Sequence, residues 1–329
     1  MNRVGEARIR QVNRMQLLSG RVHPELSQEI ADDLGIKLSE VLIEDFANGE
    51  MRVRFHESIR GDDVFIVQTH YGDIHSALME QLLMIDAAKR SSARSITAVC
   101  PLICYARQDR KAAGREPISA RLVIDMLTAA GADRIMSVDL HSGQVQGFFN
   151  GPFDHLIAFP LFSKYVKDNF GTDVVIVAPD AGRVKLAERY SSRLGTDMAI
   201  IHKSRNALDK NTVEAKHLIG NVEGRNCVII DDMIDTAGTF CAAADLLKEK
   251  GAKTVHGLAT HGIFSESALD KIEASGFEKL VVTNTVPIDT KSKTDKVVVL
   301  SVAGLLADAI SAVANSLSVS ALFEGQNQI

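Results

Sequence analysis

Three aspartates fall within five positions, Asp231, Asp232 and Asp235, and Thr236, Ala237, Gly238 and Thr239 follow at once. Carboxylates repel phosphate unless a metal intervenes, but they suit sugar hydroxyls as hydrogen-bond acceptors. The small residues that follow open a helical run, and the free N–H groups of a first helical turn attract phosphate. Gly238 allows the backbone to approach a ligand closely. A phosphate and a diol held side by side describe a ribose phosphate. A plain helix cap needs one Asp, Ser or Thr, and this loop has three Asp and two Thr.

A second stretch repeats the arrangement. An apolar run at 174–178 meets Pro179 and Asp180, then Ala181, Gly182 and Arg183. Its backbone amides could hold a second anion. Asp180 could hold magnesium, which prefers one or two carboxylates with phosphate and water. His141 closes the run 134–140, where ligands collect at the carboxyl edge of a sheet. Arg107, Arg110, Lys111 and Arg115 crowd one polar segment and could close over phosphates, although such a run is often only a solvated loop. Lys203 and Arg205 form another cationic pair, in a polar loop reaching Lys210. There is no nucleotide P-loop: Gly251-Ala252-Lys253-Thr254 lacks the required glycines and reads as a helix end entering a strand.

These residues need elements to position them. Apolar runs at 15–19, 63–69, 95–101 and 134–140 predict strands, and the intervals 23–34, 74–90 and 118–130 predict helices. Strands at 41–46 and 51–55 flank Phe46, Asn48, Gly49 and Glu50, where Asn-Gly predicts a hairpin-like turn. The pattern breaks at 148–159, among Gly147, Asn150, Gly151 and Pro152, and a domain boundary is placed there: 14–156 and 157–329. Strands at 174–178, 198–202, 227–230, 254–260, 280–285 and 297–302 follow, with helices at 161–170, 184–194, 240–250, 265–275 and 303–315. Strand alternating with helix predicts an α/β protein: two doubly wound parallel-sheet domains with helices on both faces.

Composition narrows the rest. The 329 residues are 46% hydrophobic and 24% charged, ordinary globular values. A net charge of −5 argues against a general nucleic-acid or membrane surface. No apolar run reaches bilayer length and the N-terminus lacks a signal-peptide core, so a cytoplasmic protein is expected. Cys100, Cys104, Cys227 and Cys241 form no Cys-x-x-Cys pair and read as reduced, buried thiols.

Taken together, FANGE (46–50), YARQDRK (105–111), REPI (115–118), VDLHSGQVQGFF (138–149), VAPDAGR (177–183), HKSR (202–205), VEGRNCVIIDDMIDTAGT (222–239), ATHGIFS (259–265) and TNTVPI (283–288) resemble the ribose-phosphate pyrophosphokinase (phosphoribosyl pyrophosphate synthetase) family, phosphate-activated class. The pieces stand in the family's order over nearly the whole chain. The resemblance implies a phosphoribosyltransferase type I-like fold and transfer of the ATP diphosphoryl group to the C1 hydroxyl of ribose 5-phosphate. It implies that Asp231, Asp232, Asp235, Thr236, Ala237, Gly238, Thr239 and Arg205 bind ribose 5-phosphate, and that Asp180, Ala181, Gly182 and Arg183 form the pyrophosphate loop. His141 and Asp180 would contact Mg2+. Asn48, Gly49, Glu50, Arg107 and Gln108 would hold ATP, with Phe46 near the adenine. Lys203 and Arg205 would be the transition-state cations. ATP sites of the family lie between subunits of homo-oligomers, often hexamers.

The chain departs from the family at three positions. Asn48 stands where Asp is common, Arg183 where Gly is frequent, and Ala237 for a frequent Gly, an exchange that reads as conservative. Two other classes compete. A regulatory, non-catalytic homologue would have lost loop cations or magnesium ligands, which this chain keeps. A phosphoribosyltransferase would need neither FANGE nor YARQDRK.

Overall fold

Successive residues of a strand point to opposite faces, and here both faces are apolar. Leu17, Phe65, Val174, Ile176 and Ile230 face one core, while Leu18, Ile66, Val175 and Ile229 face others. Strands buried on both sides belong in parallel sheets covered by helices. The computed structural model describes residues 15–204, 215–289 and 294–323, with the backbone alone at 203–204 and 215–216.

The first half contains β1 (Met15–Ser19), α1 (Pro24–Leu34), β2 (Val41–Asp45), β3 (Met51–Phe55), β4 (Asp63–Val67), α2 (Ile74–Arg90), β5 (Ser95–Cys100), α3 (Ser119–Ala130), β6 (Arg134–Val138) and β7 (Phe153–Leu156). Its sheet runs β1-β4-β5-β6-β7, all parallel. β2 and β3 pair separately as an antiparallel hairpin. The second half contains α4 (Phe159–Phe170), β8 (Val174–Ala178), α5 (Val184–Leu194), β9 (Asp197–Ser204), β10 (Ala215–Ile219), β11 (Asn226–Ile234), α6 (Gly238–Glu249), β12 (Thr254–Gly262), α7 (Ala268–Ala274), β13 (Lys279–Thr283), β14 (Val297–Leu300) and α8 (Ala303–Ala314). Its sheet runs β10-β9-β8-β11-β12-β13-β14, parallel except for the antiparallel edge strand β10.

Three cores result. The inner one is shared: Leu26 and Ile30 of α1, Phe162 of α4 and Leu306 and Ile310 of α8 pack with strand residues of both sheets. α2 and α3 cover the outer face of the first sheet, and α6 and α7 that of the second. Each fully buried Leu, Ile or Phe contributes about 1.5–3 kcal/mol, so the shared layer binds the halves firmly. Among the described residues, no helix is long and apolar enough to cross a membrane.

β7 lies inside the stretch read as a break, and β10 was not foreseen. The second sheet is therefore mixed at one edge. β6 ends at Val138, so His141 sits in the following loop rather than at the strand end. β11 continues to Ile234, so Asp231 and Asp232 are still strand residues.

Candidate active site

β11 is the central element. It lies between β8 and β12, and its carboxyl end carries Asp231 and Asp232. Past Ile234 the chain turns through Asp235 and Thr236 into α6. The turn is closed by Ala237, whose φ of 60° is left-handed. That conformation costs an L-residue roughly 1–2 kcal/mol, so Ala in place of Gly is not the neutral exchange the sequence suggested. Gly238 has no positive φ, and a Cβ there would meet no protein atom within 4 Å. Its lack of a side chain keeps space open rather than easing the fold. Among the described residues, the N–H groups of Thr236, Ala237, Gly238 and Thr239 find no protein acceptor. Thr236, Gly238 and Thr239 are exposed, so these first-turn donors are open to solvent, and such a row at a helix start is a cradle that suits an anion.

Beside the cradle, Asp231 and Asp232 close on Arg183. Its Nε donates to Asp231 Oδ1 at 2.5 Å, and its Nη2 donates to Asp232 Oδ1. Arg183 arrives from β8 by a short turn. There Asp180 Oδ1 accepts from the Gly182 N–H at 2.8 Å and caps the turn. His141 reaches in from the first half, with Nδ1 2.6 Å from Asp232 Oδ2. Arg183 Nη2 lies 3.3 Å from the same nitrogen. Two donors cannot share a proton there, so the shorter contact to the carboxylate is the hydrogen bond.

Electrostatics sort the two acids. Burial pushes the Asp231 carboxyl up to about 7; the neighbouring carboxyl adds to this and Arg183 opposes it. Burial acts on Asp232 too, but His141 and Arg183 outweigh it and hold that carboxyl below the usual range. Burial works against the Arg183 charge, and the two carboxylates more than restore it.

The loop after β5 completes the enclosure. Arg107 Nη1 donates to Asp235 Oδ2 at 2.9 Å, and Gln108 Oε1 accepts from Ser119 Oγ at 2.7 Å. Asp109 accepts from Ser142 Oγ at 2.7 Å and also from Gln144, which ties this loop to the one bearing His141. A cavity of about 460 Å³ holds Arg107, His141, Asp180, Arg183, the acid pair and the cradle. A neighbouring cavity of about 450 Å³ shares Arg107 and Asp235 and adds Tyr71, Tyr105, Gln108 and Phe264.

Other expected site residues stand apart. Phe46, Asn48, Gly49 and Glu50 form the tip of the β2–β3 hairpin, closed by Phe46 N–H to Glu50 O at 2.8 Å. Phe46 is 52% exposed, and none of the four lines either cavity. Lys203 belongs to β9, but its side chain lies outside the described residues, as does all of Arg205.

Sequence reasoning missed what holds the hairpin. Arg21 donates to Asp45 at 2.7 and 3.0 Å, just before the tip, and to buried Glu80 of α2 at 2.6 Å. Only a lone Arg after β1 signalled it.

The N-terminal domain of ribose phosphate pyrophosphokinase matches residues 15–131, and the phosphoribosyl synthetase-associated domain matches residues 214–324. Ribose-phosphate pyrophosphokinase of Bifidobacterium longum is 52% identical over 312 residues, spanning 94% of this chain and 92% of the relative. The chain belongs to the ribose-phosphate pyrophosphokinase family.

The Corynebacterium efficiens member is 50% identical over 313 residues, spanning 94% of this chain and 96% of its own. The crystal structure of phosphoribosylpyrophosphate synthetase from Mycobacterium smegmatis superposes with a TM-score of 0.87 at 47% identity, covering 92% of this chain and 99% of that one. The fold is thus the phosphoribosyltransferase type I-like fold of this family. Arg107, Gln108 and the hairpin tip fall within the first matched domain, and the acid pair and cradle within the second. His141 and Arg183 lie between the two matches, in the stretch that joins them.

Proposed function

We propose that this protein transfers the diphosphoryl group of ATP to the C1 hydroxyl of ribose 5-phosphate, giving 5-phosphoribosyl 1-pyrophosphate and AMP for nucleotide biosynthesis in the cytoplasm. One observation carries the reading: four unpaired amides, Thr236 to Thr239, beside the acid pair Asp231 and Asp232, in a chain of this family. The amides take the 5-phosphate. Asp231 and Asp232 accept from the ribose hydroxyls, and Asp235 with Arg107 closes the side wall. The turn Asp180 to Arg183 takes the diphosphate. Arg107 and Gln108 hold ATP in the adjoining cavity. In a homo-oligomer, a hexamer by family resemblance, the exposed tip Phe46 to Glu50 serves the nucleotide of a neighbouring copy. The chain divides into domains at 156/157, and ligands meet where the domains face each other.

The donor set fits a divalent cation, magnesium by resemblance. Among the described residues no three His, Cys, Asp or Glu are grouped to cage a metal. Magnesium needs no such cage, since it keeps water and takes phosphate oxygens with one or two protein ligands. His141 donates its Nδ1–H to Asp232 Oδ2, so the carboxylate orients the ring and leaves the Nε2 lone pair available as a metal ligand. Among the described residues only the Gly182 N–H donates to Asp180, at Oδ1, which leaves Oδ2 available. His141 and Asp180 would hold such a cation, which would supply positive charge against the phosphates.

Diphosphoryl transfer asks the protein for positioning and charge neutralisation more than covalent chemistry. Lys203 and Arg205 supply cations that offset charge gained by the departing AMP and the transferring group. The test is AMP release from ATP with magnesium and ribose 5-phosphate. AMP and the diphosphorylated sugar should appear in equal amounts. Ribose 5-phosphate binding without AMP release would make the protein a non-catalytic homologue instead.

A further inference from the structure

We propose that Lys271 is a positioning residue for the phosphate cradle, holding the Thr236–Ala237 peptide so that its N–H faces the 5-phosphate. The inference rests on the cradle reading above. Its basis is a row of three carbonyls on the outer side of the loop. Ile234 O accepts from the N–H groups of Ile263 and Phe264 at 2.9 and 3.1 Å, and Asp235 O from Ser265 N–H at 3.0 Å. Thr236 O accepts from the Lys271 ammonium at 3.1 Å. In a planar trans peptide the carbonyl and the following N–H point in opposite directions. Tying these carbonyls outward therefore turns the N–H groups of Asp235, Thr236 and Ala237 toward the other side, where the cavity lies.

The first two carbonyls are held by the backbone after β12, itself anchored by Tyr71 OH to Ile263 O at 3.1 Å. The third rests on one side chain. It is also the peptide under most strain, since Ala237 sits at φ 60°. Rotating that peptide by half a turn would carry φ of Ala237 to negative values, which an L-residue prefers. The same rotation would point the Thr236 carbonyl into the cradle and repel an anion. A strained conformation persists only where its surroundings enforce it. Here Lys271, on the exposed face of α7, supplies that enforcement.

The experiment compares wild type, Lys271→Met, Lys271→Arg, Lys271→Met with Ala237→Gly, and Asp231→Ala. Steady-state kinetics, calorimetric titration with ribose 5-phosphate and thermal melting are measured for each. Lys271→Met should raise both KM and Kd for ribose 5-phosphate about five- to tenfold, the size expected for one ordinary hydrogen bond at an exposed site. Saturated kcat and KM for ATP should stay within about twofold, in line with loss of uniform substrate binding. Lys271→Arg should restore most of the affinity. Ala237→Gly should restore part of it in the Met background, because glycine has no preference for the rotated peptide. Unchanged ribose 5-phosphate affinity in Lys271→Met, while Asp231→Ala weakens it, would overturn the role of Lys271 alone. So would parallel loss of both substrates with a fallen melting temperature. Unaltered affinity in Asp231→Ala would overturn the cradle assignment itself.

Discussion

His141 Nδ1 lies 2.6 Å from Asp232 Oδ2, and the contact joins the loop after β6 to the end of β11. The carboxylate fixes which ring nitrogen carries the proton. Asp232→Asn keeps an acceptor oxygen but removes the charge that orients the ring. Loss of such an orienting carboxylate costs about 10–100-fold in metal affinity or activity. The magnesium concentration giving half-maximal AMP release should therefore rise about tenfold or more. An unchanged magnesium dependence would detach this pair from the proposed metal site.

Arg183 is the counter-charge for two adjacent carboxylates, at 20% side-chain exposure. Arg183→Gly leaves them facing each other, and stability should fall by about 2–3 kcal/mol. The sign with pH follows from Asp231. Its carboxyl is raised in the folded protein, so its stabilising effect is complete below the unfolded pKa and is lost as pH rises through about 7. Removing Arg183 raises that carboxyl further. The gap in melting temperature between wild type and variant should widen from about pH 5 to about pH 8. A gap independent of pH would show that lost packing, not charge, accounts for the change.

Lys203→Ala tests the proposal that Lys203 is a transition-state cation. A contact made mainly in the transition state lowers kcat far more than it raises KM. Single-turnover AMP formation should slow with little change in ATP or ribose 5-phosphate affinity. An unaltered kcat would remove Lys203 from the chemistry.

His70 predicts an acid limb of stability. Its Nδ1 accepts from the Cys104 N–H at 3.2 Å, so Nε2 donates to Gln81 Oε1 at 2.9 Å. Burial pushes this imidazole down to about 4 from 6.5. A base with a depressed folded pKa binds its proton first in the unfolded chain. Stability therefore falls as pH drops from 6.5 toward about 4, by up to about 3 kcal/mol for this group. His70→Gln should flatten that slope in urea unfolding measured across the window. An unchanged slope would assign the acid limb elsewhere, with buried His155, also lowered to about 4, the next residue to test.

The α/β order was legible because parallel strands buried on both faces, such as β8 with five buried residues, are continuous apolar runs. β7 was not. Its four residues follow Gly151 and Pro152, and only pairing with β6 makes them a strand. β10, AKHLI, is too short and too mixed to read as a strand, and it pairs along the edge of β9. The acid pair and cradle were legible as a local motif. The Arg183 link to Asp231 spans 48 positions and has no local signature. The left-handed backbone at Ala237 was equally silent, since nothing in a side chain states its φ.

The inner core draws its side chains from both halves, and α1 near the start of the chain packs on α8 near its end. Asn284 and Ser301 also clasp Glu29 of α1. A clamshell opening of the halves would tear this layer apart and wet residues such as Ile30 and Ile310. The layer that joins the halves is thus also what holds the two walls of the site at a fixed spacing.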